Sequence, residues 1–161
     1  MRSTLFSGVA LLAIMLSASA YAAGGGGGGV DSTPAPVKDP NYTRAKAMIE
    51  AKDYKGAMPV LQQVVAKDPK NADAYTLMGF ATRKSGDPNG SLQYYNQALS
   101  IDPKHIGAHE YVGEAYLELN RPAEAEQQLA RLDSLCVFGC TEYRELKKAI
   151  ATYKASHKPT N

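Results

Sequence analysis

The chain has no tryptophan and only three phenylalanines among 161 residues, so its aromatic bulk rests on ten tyrosines. Two cysteines allow one disulfide at most, which excludes a disulfide-dense scaffold. Charge of one sign is missing as well. Eighteen Lys and Arg stand against sixteen Asp and Glu, a net charge of +2, with both signs interspersed. Such a balance offers no electrostatic footprint for nucleic acid or an anionic membrane. Outside the extreme N-terminus no apolar run approaches the roughly 18 residues of a membrane span. No segment reads as a strand, no glycine-rich phosphate loop follows one, and no serine or cysteine sits in a nucleophile motif. The expectation is a non-catalytic chain without a cofactor.

The N-terminus carries a targeting pattern. Met1-Arg2 gives a short positive region, Leu5 to Leu16 an apolar core, and Ala20-Tyr21-Ala22 an A-x-A cleavage site. Residues 1–22 therefore read as a signal peptide, with no cysteine at the cleavage site to take a lipid. The expected location is periplasmic or secreted, an oxidising setting for cysteines. Gly24 to Gly29 and the Pro/Ser/Thr stretch after them cannot bury enough apolar area to offset their ordering entropy. Residues 23–38 are accordingly expected to be a flexible linker, and 158–161 a short tail.

From there on the chain repeats. Pro69 and Pro103 lie one period of 34 apart; Ala57, Ser91 and Ala125 share that period, as do Leu61, Tyr95 and Leu129. Val64, Ala98 and Leu132 follow it too, and so do Ala45, Gly79 and Gly113, and Asn41, Tyr75 and His109. Asp87-Pro88 and Asn120-Arg121-Pro122 read as helix starts. Asp68-Pro69 and Asp102-Pro103 read as helix ends, because the residue before proline is pushed out of the α region. The pattern predicts helices near 41–52, 54–67, 71–85, 88–101, 105–119, 122–135 and 141–156. The last carries Tyr143, Leu146, Ile150 and Tyr153 at the spacing of one buried stripe. Gly79 and Gly113 sit inside helical patterns, where glycine costs about 1 kcal/mol relative to alanine. They are expected to permit close approach to small residues at Ser91, Ala98 and Ala125. Pro59 should bend the second helix slightly.

A 34-residue period carrying Tyr75-x2-Met78-Gly79, Ser91-x3-Tyr95 and Pro103 resembles the tetratricopeptide repeat. The resemblance covers about 38–139. It implies an all-α, right-handed solenoid of three helix pairs, at about 38–71, 72–105 and 106–139, closed by a capping helix at 141–156. It also implies a concave groove that binds a peptide or protein partner. By register its lining would include Tyr42, Lys46 and Ile49, then Thr76, Phe80, Arg83 and Lys84, then Glu110, Glu114, Leu117 and Glu118. Phe80 is expected as an apolar anchor flanked by cations, unless it packs on a neighbouring helix. Glu110, Glu114 and Glu118 form an acidic stripe that Arg144 and Lys148 of the capping helix could offset. The family's carboxylate-gripping clamp is missing: its places hold Tyr42, Lys46, Leu77, Gly107 and Tyr111. The partner expected is thus an unidentified protein or peptide, with the chain itself a monomer or weak homodimer.

Two other constellations remain. Cys136 and Cys140, with Gly139 between them, read as a disulfide joining the sixth and seventh helices; a metal- or redox-handling pair is the alternative function. His105-x3-His109 has a spacing that can bind metal. The first lies at a helix start and the second at the repeat's aromatic packing position, so loop and core roles are the expectation.

Overall fold

The computed structural model describes residues 39–157. The signal peptide, the linker and the tail read from the sequence lie outside the described residues. Seven helices follow in order: α1 (Pro40–Glu50), α2 (Tyr54–Lys67), α3 (Ala72–Lys84), α4 (Pro88–Ile101), α5 (Ile106–Glu118), α6 (Pro122–Leu135) and α7 (Thr141–Ser156). Among the described residues there is no strand. Helices α1, α3 and α5 each pair with the even-numbered helix that follows, and α1, α3, α5 and α7 also touch one another in sequence. The result is an all-α helical-repeat solenoid with the odd helices side by side.

Caps explain why the helices begin where they do. Asp53 and Asp87, one period apart, each accept the N–H of the glycine three residues on, at 3.0 and 2.7 Å. Asn71 and His105, again one period apart, do the same for Ala74 and Ala108, at 2.9 and 3.1 Å. Each satisfies a helix N–H that has no partner within its own helix. The third repeat breaks the rule: Arg121 occupies the N-cap of α6 and makes no side-chain cap bond. Helix α2 runs unbroken through Pro59, and Asp68 and Asp102 close α2 and α4 in non-helical geometry, away from the α region that the following prolines disfavour.

The turns inside the pairs repeat as faithfully. Lys52, Gly86 and Asn120, at intervals of 34, all have positive φ of 62°, 97° and 59°. Their N–H groups donate three residues back, to Ile49, Arg83 and Leu117, at 2.9 to 3.0 Å. The next N–H in each case donates five residues back, to Met48, Thr82 and Tyr116. This is the left-handed helix ending that glycine favours, met here twice by other residues.

Packing departs from the sequence expectation at the glycines. Ser91, Ala98 and Ala125 are fully buried, but they are not what Gly79 and Gly113 admit. A Cβ on Gly79 would fall 2.5 Å from the Tyr95 ring, and one on Gly113 would fall 2.6 Å from a Leu146 methyl. The missing side chains make room for large partners, one from the paired helix and one from α7. Three apolar clusters result: one across α1, α2 and α3, one around Tyr95, Val112 and Ala115, and one where Leu146 and Ile150 close on α5 and α6.

Candidate functional site

The eleven expected groove residues separate into three groups. Tyr42, Phe80, Glu110 and Glu114 are half-buried; Lys46, Lys84 and Glu118 are exposed; Ile49, Thr76, Arg83 and Leu117 are buried. The Thr76 hydroxyl donates to the Ala72 carbonyl at 2.9 Å within its own helix. Burial pushes the Tyr42 phenol up to about 12, helped by Asp73 and Tyr111. Lys46 faces Glu50 at 4.0 Å, an exposed pair one helical turn apart.

Phe80 is not a free anchor. Its ring meets Tyr54 edge-on at 6.1 Å and Tyr111 at 5.0 Å, and Tyr111 in turn lies 6.5 Å from Tyr95. These rings form a ladder from the first repeat into the third, each contact contributing about 0.5–1.5 kcal/mol beyond its area. Lys84 Nζ stands 5.5 Å from the centre of the Phe80 ring and is the accessible cation here.

Arg83 corrects a second expectation. Its side chain is 2% exposed and reaches from α3 to α5, where Nη1 donates to Glu118 at 2.6 Å and Nη2 to Glu114. One guanidinium from the preceding repeat thus holds both carboxylates, while Arg144 turns to Thr141 on its own helix. Burial disfavours the charge on Arg83, yet Tyr95, Glu114 and Glu118 together hold its pKa above the ordinary value. Nε of Arg83 and the hydroxyl of Tyr95 are buried without a hydrogen bond of good geometry, and the two groups interact directly.

The third member of the acidic stripe is treated differently. Burial, then the charges of Glu114, Glu142 and Glu145, push the Glu110 carboxyl up to about 7 from 4.5. Between those values the folded chain holds a proton that the unfolded chain has released, so folding stability falls as pH rises across that window. Glu110→Gln should leave stability unchanged below about pH 4.5 and raise it above pH 7. Thermal melts of both proteins at pH 4 and pH 8 check this; an equal difference at the two pH values would contradict it.

Beyond Glu114 the surface opens into a furrow of about 760 Å³ between α5 and α7. Leu117, Ala149 and Tyr153 supply apolar lining, with Glu114, Glu118, Glu145, Lys148, Thr152 and His157 around them. Asn120 at the end of the furrow accepts from the Tyr153 hydroxyl, tying α7 to the turn before α6. That α7 forms one wall of a furrow was not read from the sequence, which gave that helix a buried stripe and two cations to offset the acidic stripe. A signal existed: Ala149 and Thr152, small residues at three-residue spacing beside the buried stripe, leave room on that face.

Cys136 ends α6 and Cys140 caps α7. Their sulfurs lie at disulfide-bonding distance, 2.14 Å, with Cα atoms 5.5 Å apart. Cys140 Sγ also accepts the Tyr143 N–H at 3.4 Å. The loop between them presents Val137 and Phe138 to solvent. Replacing both cysteines by serine should lower stability by about 2 kcal/mol, the loop-closure value for so short a ring. Amide exchange should show α7 fraying first. Thiols titratable without denaturation would argue against the staple.

The histidines take structural places. His105 Nδ1 accepts the Ala108 N–H, so Nε2 carries the proton toward Asp73 at 2.9 Å and pins α5 to α3. His109 is buried between Gln128 and the Pro103 carbonyl.

Known proteins of similar sequence and shape agree with this architecture. The tetratricopeptide-repeat family model matches residues 82–150, from the end of α3 into α7. The human protein O-mannosyl-transferase TMTC3 is 30% identical over 83 residues, which is 52% of this chain and 9% of that protein. Its Drosophila melanogaster counterpart is 32% identical over a stretch of the same length. The chain thus spans under a tenth of these relatives. Among solved structures, MamA from Desulfovibrio magneticus RS-1 superposes with a TM-score of 0.56 at 27% identity, over 59% of this chain and 54% of that one. The type III secretion translocator chaperone SycD of Yersinia enterocolitica superposes with a TM-score of 0.65 at 19% identity, over 74% of this chain and 92% of its own. At that identity the likeness concerns the fold. The chain carries a 34-residue period in its sequence, in its caps and in its turns; residues 82–150 match the tetratricopeptide repeat by sequence, and the described residues share its helical-repeat fold.

Proposed function

We propose that this protein is an exported, non-catalytic adaptor that holds a segment of a partner protein in the furrow between α5 and α7. The supporting observation is the furrow itself: an apolar floor of Leu117, Ala149 and Tyr153 within a rim of polar and charged groups. Binding sites for extended or helical segments combine those two features, since apolar contact gives affinity and a few placed polar groups give orientation. Leu146 packed against Gly113 and the hydrogen bond from Tyr153 to Asn120 keep α7 in fixed relation to α5, so the furrow is preorganised rather than assembled on contact. Export to the periplasm is part of the proposal and rests on the N-terminal pattern. In this reading the cysteine pair braces α7, one wall of the furrow.

The test places a photo-crosslinking amino acid at Thr152, on the furrow, and in a second variant at Gln127, exposed on α6. Irradiation in intact cells should give a discrete protein adduct from Thr152 and none from Gln127. Adducts from Gln127 alone would move the interface to the outer face. N-terminal sequencing of the exported protein should begin at Ala23.

A further inference from the structure

The furrow has a charge asymmetry that its apolar floor does not explain. Of the carboxylates near it, Glu114 and Glu118 are held by Arg83. Glu145 lines the furrow across from Glu114. Glu110 lies one helical turn before Glu114 on α5, Glu142 lies three residues before Glu145 on α7, and Glu110 feels the charges of all three. Yet among the described residues none of Glu110, Glu142 and Glu145 makes an ion pair. Two of the nearby cations of α7 are engaged elsewhere: Arg144 donates to Thr141, and Lys147 lies over the Tyr143 ring at 5.5 Å. Lys154 pairs with Glu126 at 2.6 Å. Lys148 lines the furrow. In a chain with a net charge of +2, three carboxylates left together beside an apolar cleft are a local exception.

Like charges gathered in this way repel, and folding gains nothing from them. A ligand cation would relieve that repulsion, and a partly desolvated pairing is worth more than one in open water. Glu114 and Glu145 share the furrow with Leu117, Ala149 and Tyr153, so one ligand can touch its acidic end and its floor. In a smaller adjoining hollow of about 220 Å³, lined also by Lys84, Glu114, Leu117, Glu118 and Ala149, sits the buried Arg83. Its fixed positive charge keeps Glu114 and Glu118 from competing for the incoming cation.

We infer that the occupant of the furrow is a basic segment, with a lysine or arginine among Glu110, Glu142 and Glu145 and an apolar side chain on Leu117, Ala149 and Tyr153. This rests on the adaptor reading and adds the chemistry of the partner. The acidic end selects for charge, and the floor supplies the contact that salt does not weaken.

Two fluorescein-labelled twelve-residue peptides separate the possibilities. Both carry leucines at helical spacing; one has arginine at every remaining charged position and the other glutamate. Fluorescence polarisation with the full chain should show the basic peptide binding at least tenfold more tightly than its acidic twin, with the gap narrowing in 0.5 M salt. Glu110→Gln/Glu142→Gln/Glu145→Gln should remove that tenfold advantage while the melting temperature holds or rises. Thr152→Arg, at an exposed position on the furrow, should abolish binding of the basic peptide. Equal binding of the two peptides, no binding of the basic one, or an unaffected triple variant would overturn the inference. If Thr152→Arg blocks both peptides equally, the furrow stands as a binding site and only its basic preference falls. If Thr152→Arg changes nothing while peptides still bind, the furrow itself is the wrong surface.

Discussion

Gly79→Leu should destabilise the domain by about 3 kcal/mol, the upper part of the range for forcing bulk into a packed core. The reason is specific to what lies opposite. A Cβ at this position already falls within 2.5 to 2.9 Å of three atoms of the Tyr95 ring. That ring is fully buried, touches Tyr111 and lies against Arg83, so it has nowhere to swing. Gly79→Ala sets two effects against each other. Alanine gains about 1 kcal/mol of helix propensity over glycine. The clash with a rigid ring exceeds that gain, so the net effect remains destabilising. Gly113→Ala should be milder, because it meets the methyl end of Leu146 rather than an aromatic edge. Urea unfolding of the three variants checks the order. Wild-type stability in Gly79→Leu would show that the pairing of α3 with α4 is misplaced.

Arg83→Ala should cost about 2–3 kcal/mol. Breaking a fully buried pair by deleting one partner costs roughly 3–5 kcal/mol. Here the loss is reduced because the Glu118 side chain is 42% exposed and can turn to water. Glu114, at 26%, has less freedom and stays beside Glu110 with no cation to separate their charges. Glu118→Gln should by comparison cost less than about 1 kcal/mol, as a single rim pair does. Denaturant melts of both variants, with and without 1 M salt, measure the difference. An Arg83→Ala protein as stable as wild type would make the residue a surface cation, as the sequence register had placed it.

The repeat was legible because it is written in local chemistry. Period, caps and breaks depend on residues a few positions apart, so Asp87-Pro88 and Asp102-Pro103 announce α4 directly. Four of the seven helix starts agree with the sequence reading outright and the other three to within one residue, because capping and proline effects need no tertiary partner. The cysteine pairing was legible for a similar reason: two sulfurs four residues apart between two helices have few other places to go.

What the register could not decide was the fate of each side chain on the odd helices. Arg83 and Lys84 are neighbours in sequence and both basic, yet one is buried and the other exposed. That outcome depends on Glu114 and Glu118 arriving from 31 and 35 residues away, and on Tyr95 closing the space behind. Phe80 was undecided in the same way until Tyr54 and Tyr111 met it from either side. The sequence by itself determined the helices, their order and the staple, since those follow from backbone preferences and short-range contacts. Only the tertiary structure decided which charges are neutralised and which are left beside the furrow, because charge pairing between successive repeats depends on distances that periodicity does not contain.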